Sequence, residues 1–393
     1  MNISALRGET PGTRGCTHLN NAGAALMPEP VLQAMRDHLE LEAETGGYEA
    51  KALREGAIEG VYRELAALLR TARGQIALTE HATASFVAAL SAIPFRAGDV
   101  LLTTRHDYVS NQIQYLSLAR RMGIEVVRAP DGPEGGVDVA AMAELVHRRA
   151  PRLVAMSQIP TNSGLVQDVA TVGEVCRERR TWFLVDACQS VGQMPVHPDF
   201  LGADFVSATA RKFLRGPRGA GFLWVSNRVL EEGLEPLFPD LRGADWVGQD
   251  RYRPLSDARR FETWEFAYAL ILGMGEAARY ARELGLDAIQ SRAWRLAGRL
   301  RERLDELPGV RILDRGPELC AIVTASVRGW QPEALVSRLR RERIHTSSLD
   351  LGSGVIDFTE KGVEGALRVS PHYYNTEEEV DRFVDVMATL VRP

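Results

Sequence analysis

Lysine is nearly missing from this chain of 393 residues. Lysine and arginine together number 47, and only Lys51, Lys212 and Lys361 are lysines, which leaves 44 arginines (47 − 3). A primary amine can lose its proton near neutral pH, whereas a guanidinium cannot. Lys212 lies among arginines in the stretch "TARKFLRGPRG". Lys212 is therefore either present by chance or required as an amine by some chemical reaction.

Cysteine is also scarce. The four cysteines, Cys16, Cys176, Cys188 and Cys320, lie far apart and form no C-x-x-C pair. That spacing argues against a zinc motif and against a disulfide scaffold, and it fits a reducing compartment. We therefore predict no metal site.

Long apolar runs and a strong charge bias are missing too. The N-terminus has no apolar core of signal-peptide length, and no run of about 18 apolar residues predicts a membrane span. With 45% hydrophobic residues, 25% charged residues and a net charge of −5, the composition is that of an ordinary globular protein. It gives no general case for nucleic-acid binding. We expect a cytoplasmic protein whose partner is a small molecule, with no nucleic-acid or membrane partner.

The middle of the chain alternates short β-rich runs with helical patterns such as 168–180. This alternation is typical of an α/β fold with a mainly parallel sheet and helices on both faces. The predicted strands are 99–104, 125–129, 152–158, 182–187, 204–209 and 221–225.

The pattern changes after about residue 285 to one typical of a separate α+β domain, with helices at 288–307, 331–342 and 376–391. Chain ends often pack together. We therefore predict three parts: an N-terminal segment (1–45) that packs with the small domain, a large domain (46–285) and a small C-terminal domain (286–393).

Three features of the predicted sheet could carry chemistry. Asp186 ends the strand "WFLVD", where open α/β sheets bind ligands, or it simply caps the next helix. Thr83 lies in "TEHATASFVAAL" (79–90), where a helix N-terminus could hold a phosphate or carry an ordinary N-cap. Lys212 follows "DFVSAT" and precedes "RGPRGAG", which allows tight turns; otherwise it belongs to a solvated basic loop.

One cofactor, pyridoxal 5′-phosphate (PLP), requires all three features. Its phosphate docks on a helix N-terminus, and a carboxylate keeps its pyridine nitrogen protonated. A lysine holds its aldehyde as a Schiff base and later shuttles protons. No P-loop or dinucleotide fingerprint competes, because "GAGF" (219–222) lacks the spacing and precedes a strand.

Segments spread along nearly the whole chain resemble the class V aminotransferase family. This family of fold-type I PLP enzymes includes cysteine desulfurases, isopenicillin N epimerase-like proteins and C–S lyases. The order and spacing of the segments together are specific. They are "HLNNAGAALMPEPV" (18–31), "ATA" (82–84), "HDYVSN" (106–111), "PTNSG" (160–164), "VDACQ" (185–189), "TARK" (209–212) and "LRVSPHYYNTEEEVDRF" (367–383).

The resemblance implies a fold-type I PLP-dependent transferase fold, with a large domain built on a mainly parallel mixed sheet and a smaller α+β C-terminal domain. It also implies a homodimer, Lys212 as the Schiff-base lysine and Asp186 at the ring nitrogen. The other implied cofactor contacts are Ala82, Thr83, Thr209 and Arg211 near the phosphate, Tyr108 stacked on the ring, and Gln189 with Thr161 or Asn162 at the ring hydroxyl.

On the substrate side the resemblance implies that Arg368 binds the carboxylate, with Asn21 and Gly23 of the opening segment nearby. "ETGGYEA" (44–50) resembles a subgroup related to the C–S lyase of ergothioneine biosynthesis, which would put Tyr48 in the substrate pocket. The same "GGY" is equally consistent with a turn between helices.

The chain departs from the family pattern in three places. Arg211 stands where many relatives have a histidine before the lysine. "RRFETWEF" (259–266) replaces a Gly-Thr segment that a partner subunit inserts, so Trp264 or Glu265 is a candidate to face the neighbouring site. The segment 345–358 lacks the loop cysteine with which desulfurases attack sulfur, and Cys320 falls in a predicted buried strand.

These features favour a PLP enzyme that acts on an α-amino acid, best described as a β-eliminating C–S lyase on cysteine or a cysteine conjugate. An aminotransferase or epimerase is the alternative, because the same residues serve both outcomes. A non-catalytic PLP-fold binding protein is a third hypothesis, which the presence of Lys212, Asp186 and Arg368 disfavours.

Overall fold

A computed structural model describes residues 1–391. Its helices are α1 Ile3–Gly8, α2 Glu29–Thr45, α3 Gly47–Leu53, α4 Glu55–Leu69, α5 Ala82–Ala92, α6 Val109–Met122, α7 Val139–Arg149, α8 Val169–Glu178, α9 Asn227–Glu231, α10 Tyr268–Leu284, α11 Leu286–Asp305, α12 Pro332–Arg341, α13 Val355–Lys361 and α14 Glu377–Leu390.

The strands are mostly short. They are β1 Thr17–His18, β2 Ile76–Thr79, β3 Val100–Thr103, β4 Glu125–Arg128, β5 Leu153–Ser157, β6 Trp182–Asp186, β7 Phe205–Thr209, β8 Gly221–Val225, β9 Ala244–Gly248, β10 Arg251–Pro254, β11 Val310–Ile312, β12 Val323–Val327, β13 Ile344–His345, β14 Ser347–Asp350 and β15 Gly365–Val369.

The large sheet has seven strands in the order β2-β8-β7-β6-β5-β3-β4. Strand β8 runs antiparallel to both of its neighbours, and the other pairs are parallel. Its central strands are apolar and buried along their whole length, as expected when helices cover both faces of a sheet. This architecture confirms the predicted α/β fold with a mainly parallel mixed sheet.

A second sheet forms near the C-terminus, with four antiparallel strands in the order β11-β12-β15-β14. Strand β1 lies far away in sequence but pairs in parallel with β13, next to this sheet. Residues 17–18 therefore contact the region predicted as the small domain. The predicted limits of the domains stay a prediction.

Some elements follow from tertiary context rather than from local pattern. The sequence did not predict the short buried strand β2. It also did not predict the hairpin β9–β10, and the residues of this hairpin are largely polar or exposed. Within residues 1–391, no helix combines the length and the apolar character needed to cross a membrane.

Arg215 is a charged residue in the protein interior that joins distant parts of the chain. Its side chain is almost completely buried. The guanidinium donates to the Leu26 carbonyl at 2.8 Å, to the Thr10 hydroxyl at 2.7 Å and to the Tyr373 hydroxyl. It also lies 4.4 Å from the centroid of the Tyr374 ring. Arg215 thus connects the N-terminal segment and the C-terminal region to the turn that follows Lys212.

We expect Arg215→Met to destabilise the protein by about 3 kcal/mol or more, since each buried acceptor left without a donor costs about 1–3 kcal/mol. Chemical denaturation of wild type, Arg215→Met and a control variant measures the change in the free energy of unfolding. Arg218→Met is the matched control, because Arg218 lies in the same turn but is exposed. Equal stability of the two variants would contradict the structural role of Arg215.

Candidate active site

The carboxyl ends of three adjacent strands form the floor of the candidate site. Ser157 of β5 lies opposite Asp186 of β6, which in turn lies opposite Ser207 of β7. Asp186 is buried and accepts hydrogen bonds from the Cys188 amide at 2.9 Å and from Asn111 Nδ2 at 3.1 Å. The predicted carboxylate therefore lies at the sheet edge where ligands of open α/β sheets bind.

A second buried carboxylate, Asp107, supports Asp186 from the start of α6. Asp107 accepts from Ser157 Oγ at 2.6 Å, from Tyr115 Oη at 2.8 Å and from Asn111 Nδ2 at 3.1 Å. The same Asn111 nitrogen thus donates to both carboxylates. Burial raises the pKa of Asp107 to about 6, and the nearby charge of Asp186 adds to the rise.

Lys212 lies in a tight turn just beyond β7. Its side chain is only 7% exposed. Burial lowers the pKa of Lys212, and the positive charges of Arg211 and Arg368 lower it further, against the opposing effect of Cys188 and Asp186.

The neighbourhood of Lys212 is tightly packed. The Tyr108 ring centroid lies 5.8 Å from Lys212 Nζ. Gly192 has a φ of +92°, and a Cβ there would lie 2.2 Å from the Leu214 backbone nitrogen, so only glycine fits against this turn.

Arg368 and Gln189 converge on the Thr161 hydroxyl. Arg368 Nη1 donates to Thr161 Oγ1 at 2.8 Å, and Gln189 Nε2 donates to the same oxygen at 3.2 Å. Burial lowers the pKa of Arg368 to about 10, and Arg211 contributes to the shift. Arg368 Nε and Gln189 Oε1 are buried with no hydrogen-bond partner in the protein. Because buried polar atoms are rarely unpaired, these two atoms mark a place for a polar ligand.

The N-terminus of α5 reaches the same edge of the sheet. Gly221 pairs with Thr209 at the end of β7, and a Cβ on Gly221 would lie 2.8 Å from backbone atoms of His81. His81 caps α5 by accepting from the Ala84 amide, and Ala82 and Thr83 form the first turn. First-turn amides have no acceptor within their own helix, which makes this end suitable for an anion.

Arg211 directly precedes Lys212 and donates to the Gly23 carbonyl. Gln189 donates in a similar way to the carbonyl of Ala22 at 3.2 Å. The opening segment therefore lies against the site through its backbone, and Gly23 is beside the predicted cofactor residues.

Three predicted site residues make other contacts. Asn21 is fully buried, donates to the Ser370 carbonyl at 2.7 Å and accepts from the Tyr374 hydroxyl. Asn162 Nδ2 donates to Asp357 at 2.9 Å. Tyr48 is 75% exposed and lies in the first turn of α3, which begins at Gly47, so the "GGY" stretch is a junction between helices.

Tyr48 lines a separate cavity of about 300 Å³ together with Lys51, Trp264 and Glu265. Lys51 Nζ lies 5.4 Å from the Trp264 ring centroid. Within one chain, this cavity is not lined by Lys212, Asp186 or Arg368. The sequence-based prediction that Tyr48 contacts the substrate therefore stays a prediction, and a single chain does not test it.

The sequence reading missed Asp107, Asn111 and Ser157. A signal for the first two was present in "HDYVSN", since Asp107 and Asn111 are four residues apart at a predicted helix start and so share a face. It also missed Cys188, whose thiol pKa is raised by burial and by the charge of Asp186.

The fold and the site together define an α/β enzyme with a buried lysine and a buried carboxylate at the carboxyl edge of its sheet. The aminotransferase class-V family matches residues 17–383. The chain therefore belongs to the aminotransferase class-V family of PLP-dependent enzymes, as the sequence motifs predicted.

Individual relatives agree with this assignment. The chain is 26% identical to a probable cysteine desulfurase of Pyrococcus abyssi, covering 98% of this chain and 97% of the relative. It is 27% identical to a probable hercynylcysteine sulfoxide lyase of Mycobacterium tuberculosis, covering 94% and 89%. The solved apo structure of a cysteine desulfurase from Thermococcus onnurineus superposes with a TM-score of 0.90 at 25% identity, covering 99% and 98%. These likenesses confirm the fold-type I architecture.

We expect Asp107→Asn to change how stability depends on pH. The pKa of Asp107 in the folded protein, about 6, is above the value of about 3.9 for an unfolded chain. Its contribution to stability is therefore complete below about pH 4 and is lost as the pH rises through about 6. Asparagine cannot ionise, so the melting temperature of the variant minus that of wild type should be larger at about pH 8 than at about pH 5.

Thermal melts across this pH range test the expectation. Asp305→Asn serves as the control, because Asp305 is exposed at the end of α11. A difference between Asp107→Asn and wild type that stays constant with pH would show that Asp107 does not titrate in this range.

Proposed function

We propose that this chain binds PLP at Lys212 and catalyses β-elimination of a C–S bond in cysteine or a cysteine conjugate. The observation that carries the proposal is the convergence of Lys212, Asp186 and Arg368, all buried, at one edge of the large sheet. The sulfoxide lyase among the relatives supports a lyase. Cysteine desulfurases such as the relative from Pyrococcus abyssi would need a cysteine that accepts the sulfur, and the cysteines of this chain are considered below.

The residues present fit PLP. The unpaired Gln189 Oε1 and Arg368 Nε, the amide end of α5 and the buried amine of Lys212 offer the donors and acceptors that a phosphorylated pyridine aldehyde and an amino-acid carboxylate require. Lys212 would hold the cofactor covalently through Nζ, and Asp186 would face its ring nitrogen. The other residues that would hold it are Ala82, Thr83, Thr209 and Arg211 at the phosphate, and Tyr108, Thr161 and Gln189 around the ring. When bound, PLP would supply an electron sink for the electron pair left at Cα.

Lys212 would act as the base that removes the Cα proton. Burial and the neighbouring arginines lower its pKa, which increases the fraction of neutral amine near pH 7. Asp186 is fixed by the Asn111 and Cys188 donors, so it would present its carboxylate in one orientation. Asp107 and Ser157 would position Asn111, and through it Asp186.

Arg368 would bind the substrate carboxylate. The side chain is already held at Thr161 by Nη1, which leaves Nε free and buried. Gly23 would lie beside this pocket through its backbone. Asn21 would support the opening segment rather than touch substrate, since its amide is hydrogen-bonded within the protein.

The proposed reaction is balanced by one water molecule. A cysteine conjugate loses its Cα proton, its Cβ–S bond breaks with the electron pair going to sulfur, and the sulfur is released as a thiol. The remaining amino acrylate is hydrolysed by water to pyruvate and ammonia.

No protein thiol is placed to receive the sulfur in this proposal. Segment 345–358 has no cysteine. Cys320 is fully buried in the small-sheet region, and burial raises its pKa to about 12. Cys188 lies closer to Lys212, but burial and Asp186 raise its thiol pKa, which disfavours a nucleophilic thiolate.

We further propose a homodimer that completes the site. The exposed Tyr48 and the partly exposed Trp264 lie on one surface with Glu265. In this arrangement that surface would face the partner subunit, and Tyr48 would reach the partner's substrate pocket. A monomeric mass in sedimentation experiments would refute the arrangement.

Product analysis with cysteine and cysteine conjugates tests the reaction. Pyruvate and a free thiol in equal amounts are expected. Transfer of the amino group to a keto acid would instead identify an aminotransferase, and Cα deuterium exchange with inversion would identify an epimerase. A protein that binds PLP without any of these products would be a binding protein.

Lys212→Arg should keep the positive charge and lose turnover by about 10³-fold or more, because a guanidinium cannot serve as the nucleophile or the base. The visible absorption of lysine-bound cofactor should disappear with it. Lys212→Ala is a second variant, because the larger arginine could disturb packing in the buried site and alanine could not do so by overpacking. Arg218→Lys is the control in the same turn. If Lys212→Ala keeps the wild-type absorption and turnover, the lysine assignment is wrong.

Arg368→Lys should raise KM roughly 10–100-fold, because a charged hydrogen bond to the carboxylate is weakened, while kcat changes less. Comparing a substrate with its methyl ester gives a second readout: wild type should prefer the acid strongly and the variant should not. Arg311→Lys, on an exposed position of β11, is the control. An unchanged acid-to-ester preference would place the carboxylate elsewhere.

A further inference from the structure

In contrast to the sequence-based prediction of no metal site, we infer that Cys16, His18 and His345 form a binding site for a divalent transition-metal ion of the zinc type. One ligand atom from each residue lies within 4.8 Å of the other two. Among residues 1–391 this is the one such group of histidine, cysteine and carboxylate side chains. It is separate from Lys212, Asp186 and Arg368, and nothing in the proposed reaction uses it.

The pairing of two short strands brings the three residues together. Strands β1 and β13 run in parallel, with His18 directly opposite His345. The ladder continues on both sides, since Thr17 N donates to the Arg343 carbonyl and Leu19 N donates to that of His345. Cys16 is two residues before His18, so an extended backbone places both side chains on the same face.

The hydrogen bonding of His18 prepares one nitrogen for a metal. His18 Nε2 lies 2.8 Å from the Ala24 carbonyl oxygen. A carbonyl can only accept, so Nε2 carries the proton and Nδ1 has a free lone pair in the neutral ring. His18 Nδ1 is buried and has no partner in the protein. A metal-binding histidine usually donates the N–H of its other ring nitrogen to a backbone carbonyl or a carboxylate.

The donor set selects the type of metal. One thiolate and two imidazoles suit Zn²⁺ in tetrahedral geometry, whereas Mg²⁺ and Ca²⁺ prefer oxygen ligands. A water molecule would fill the fourth position. Cysteine binds metal as the thiolate, so the Cys16 thiol proton would pass to solvent as the S–metal bond forms. Cys16 and His345 are both partly exposed, which gives the ion a path of entry.

A metal here would clamp the N-terminal segment to the C-terminal part of the chain. The segment continues from His18 to Ala22 and Gly23, whose carbonyls accept from Gln189 and Arg211. The clamp is therefore expected to stabilise the folded protein, and this effect does not depend on which reaction the enzyme catalyses.

The experiment uses full-length, tag-free protein, dialysed against Zn²⁺ and then against metal-free buffer. Metal content is measured by mass spectrometry, and Co²⁺ substitution is followed by visible absorption. The variants are Cys16→Ser and His345→Ala. His147→Ala is the control, because His147 is an exposed histidine at the end of α7.

We expect one zinc per chain, intense Co²⁺ bands of a four-coordinate site and a sulfur-to-cobalt charge-transfer band. Cys16→Ser should lose the charge-transfer band, and His345→Ala should bind metal about tenfold more weakly or worse. The melting temperature should rise with Zn²⁺ in wild type and His147→Ala but not in the two site variants.

Three results would each overturn the site: no retained zinc in wild type, weak six-coordinate Co²⁺ bands, or zinc binding that survives both substitutions. The last result would place the metal elsewhere, for example at Cys188. If one site variant fails to fold, the other still decides the question.

Discussion

The positive charge buried beside Asp186 is the constraint on which the site depends. Lys212 and Arg368 are buried and Arg211 is partly buried. Besides burial, Arg211 and Arg368 lower the pKa of Lys212, and Arg211 lowers the pKa of Arg368. Removing like charges from water is unfavourable unless anions offset them. The nearby carboxylates are Asp186, which is already bound to Asn111 and Cys188, and Asp107, which shares the Asn111 donor. The protein therefore holds an excess of positive charge that a dianionic phosphate and an amino-acid carboxylate would balance.

The fold maintains this unfavourable arrangement by fixing the backbone around it. Arg215, three residues after Lys212, connects the turn to Thr10, Leu26 and Tyr373. The opening segment passes between the turn and the C-terminal strands, with a bridge between Asn20 and Ser370. Because both faces of the turn are held by distant parts of the chain, the backbone at Lys212 cannot move without breaking several buried hydrogen bonds. The proposed metal clamp would act on this same segment.

The local sequence pattern correctly predicted several individual strands and helices. The apolar run 182–187 became β6 (Trp182–Asp186), and the helix expected at 376–391 became α14 (Glu377–Leu390) with Thr376 and Glu379 forming a capping box. The positions of Asp186 and Lys212 followed from the rule that parallel strands present their carboxyl ends at one edge. The order of the motifs in one sequence was enough to predict that Asp186 and Lys212 lie at the same edge of the sheet.

Other features were not predictable because distant residues create them. Asp107 gains its role from Ser157, fifty positions away, and from Asn111. The meeting of His18 and His345 depends on a two-residue parallel pairing that no periodicity marks. The role of Tyr48 stays a prediction, since within one chain it lines a cavity apart from Lys212, Asp186 and Arg368.

Under the proposed function, the fate of the sulfur would separate this chain from a persulfide-forming desulfurase. Segment 345–358 forms β14 and the start of α13, and Asp357 within it holds both Asn162 and Lys361. That anchoring leaves the segment fixed against the site by a buried carboxylate rather than carrying a nucleophilic thiol toward it. Under the proposed function, a sulfur that leaves Cβ beside Lys212 meets no thiolate in this segment. It would therefore depart as a free thiol.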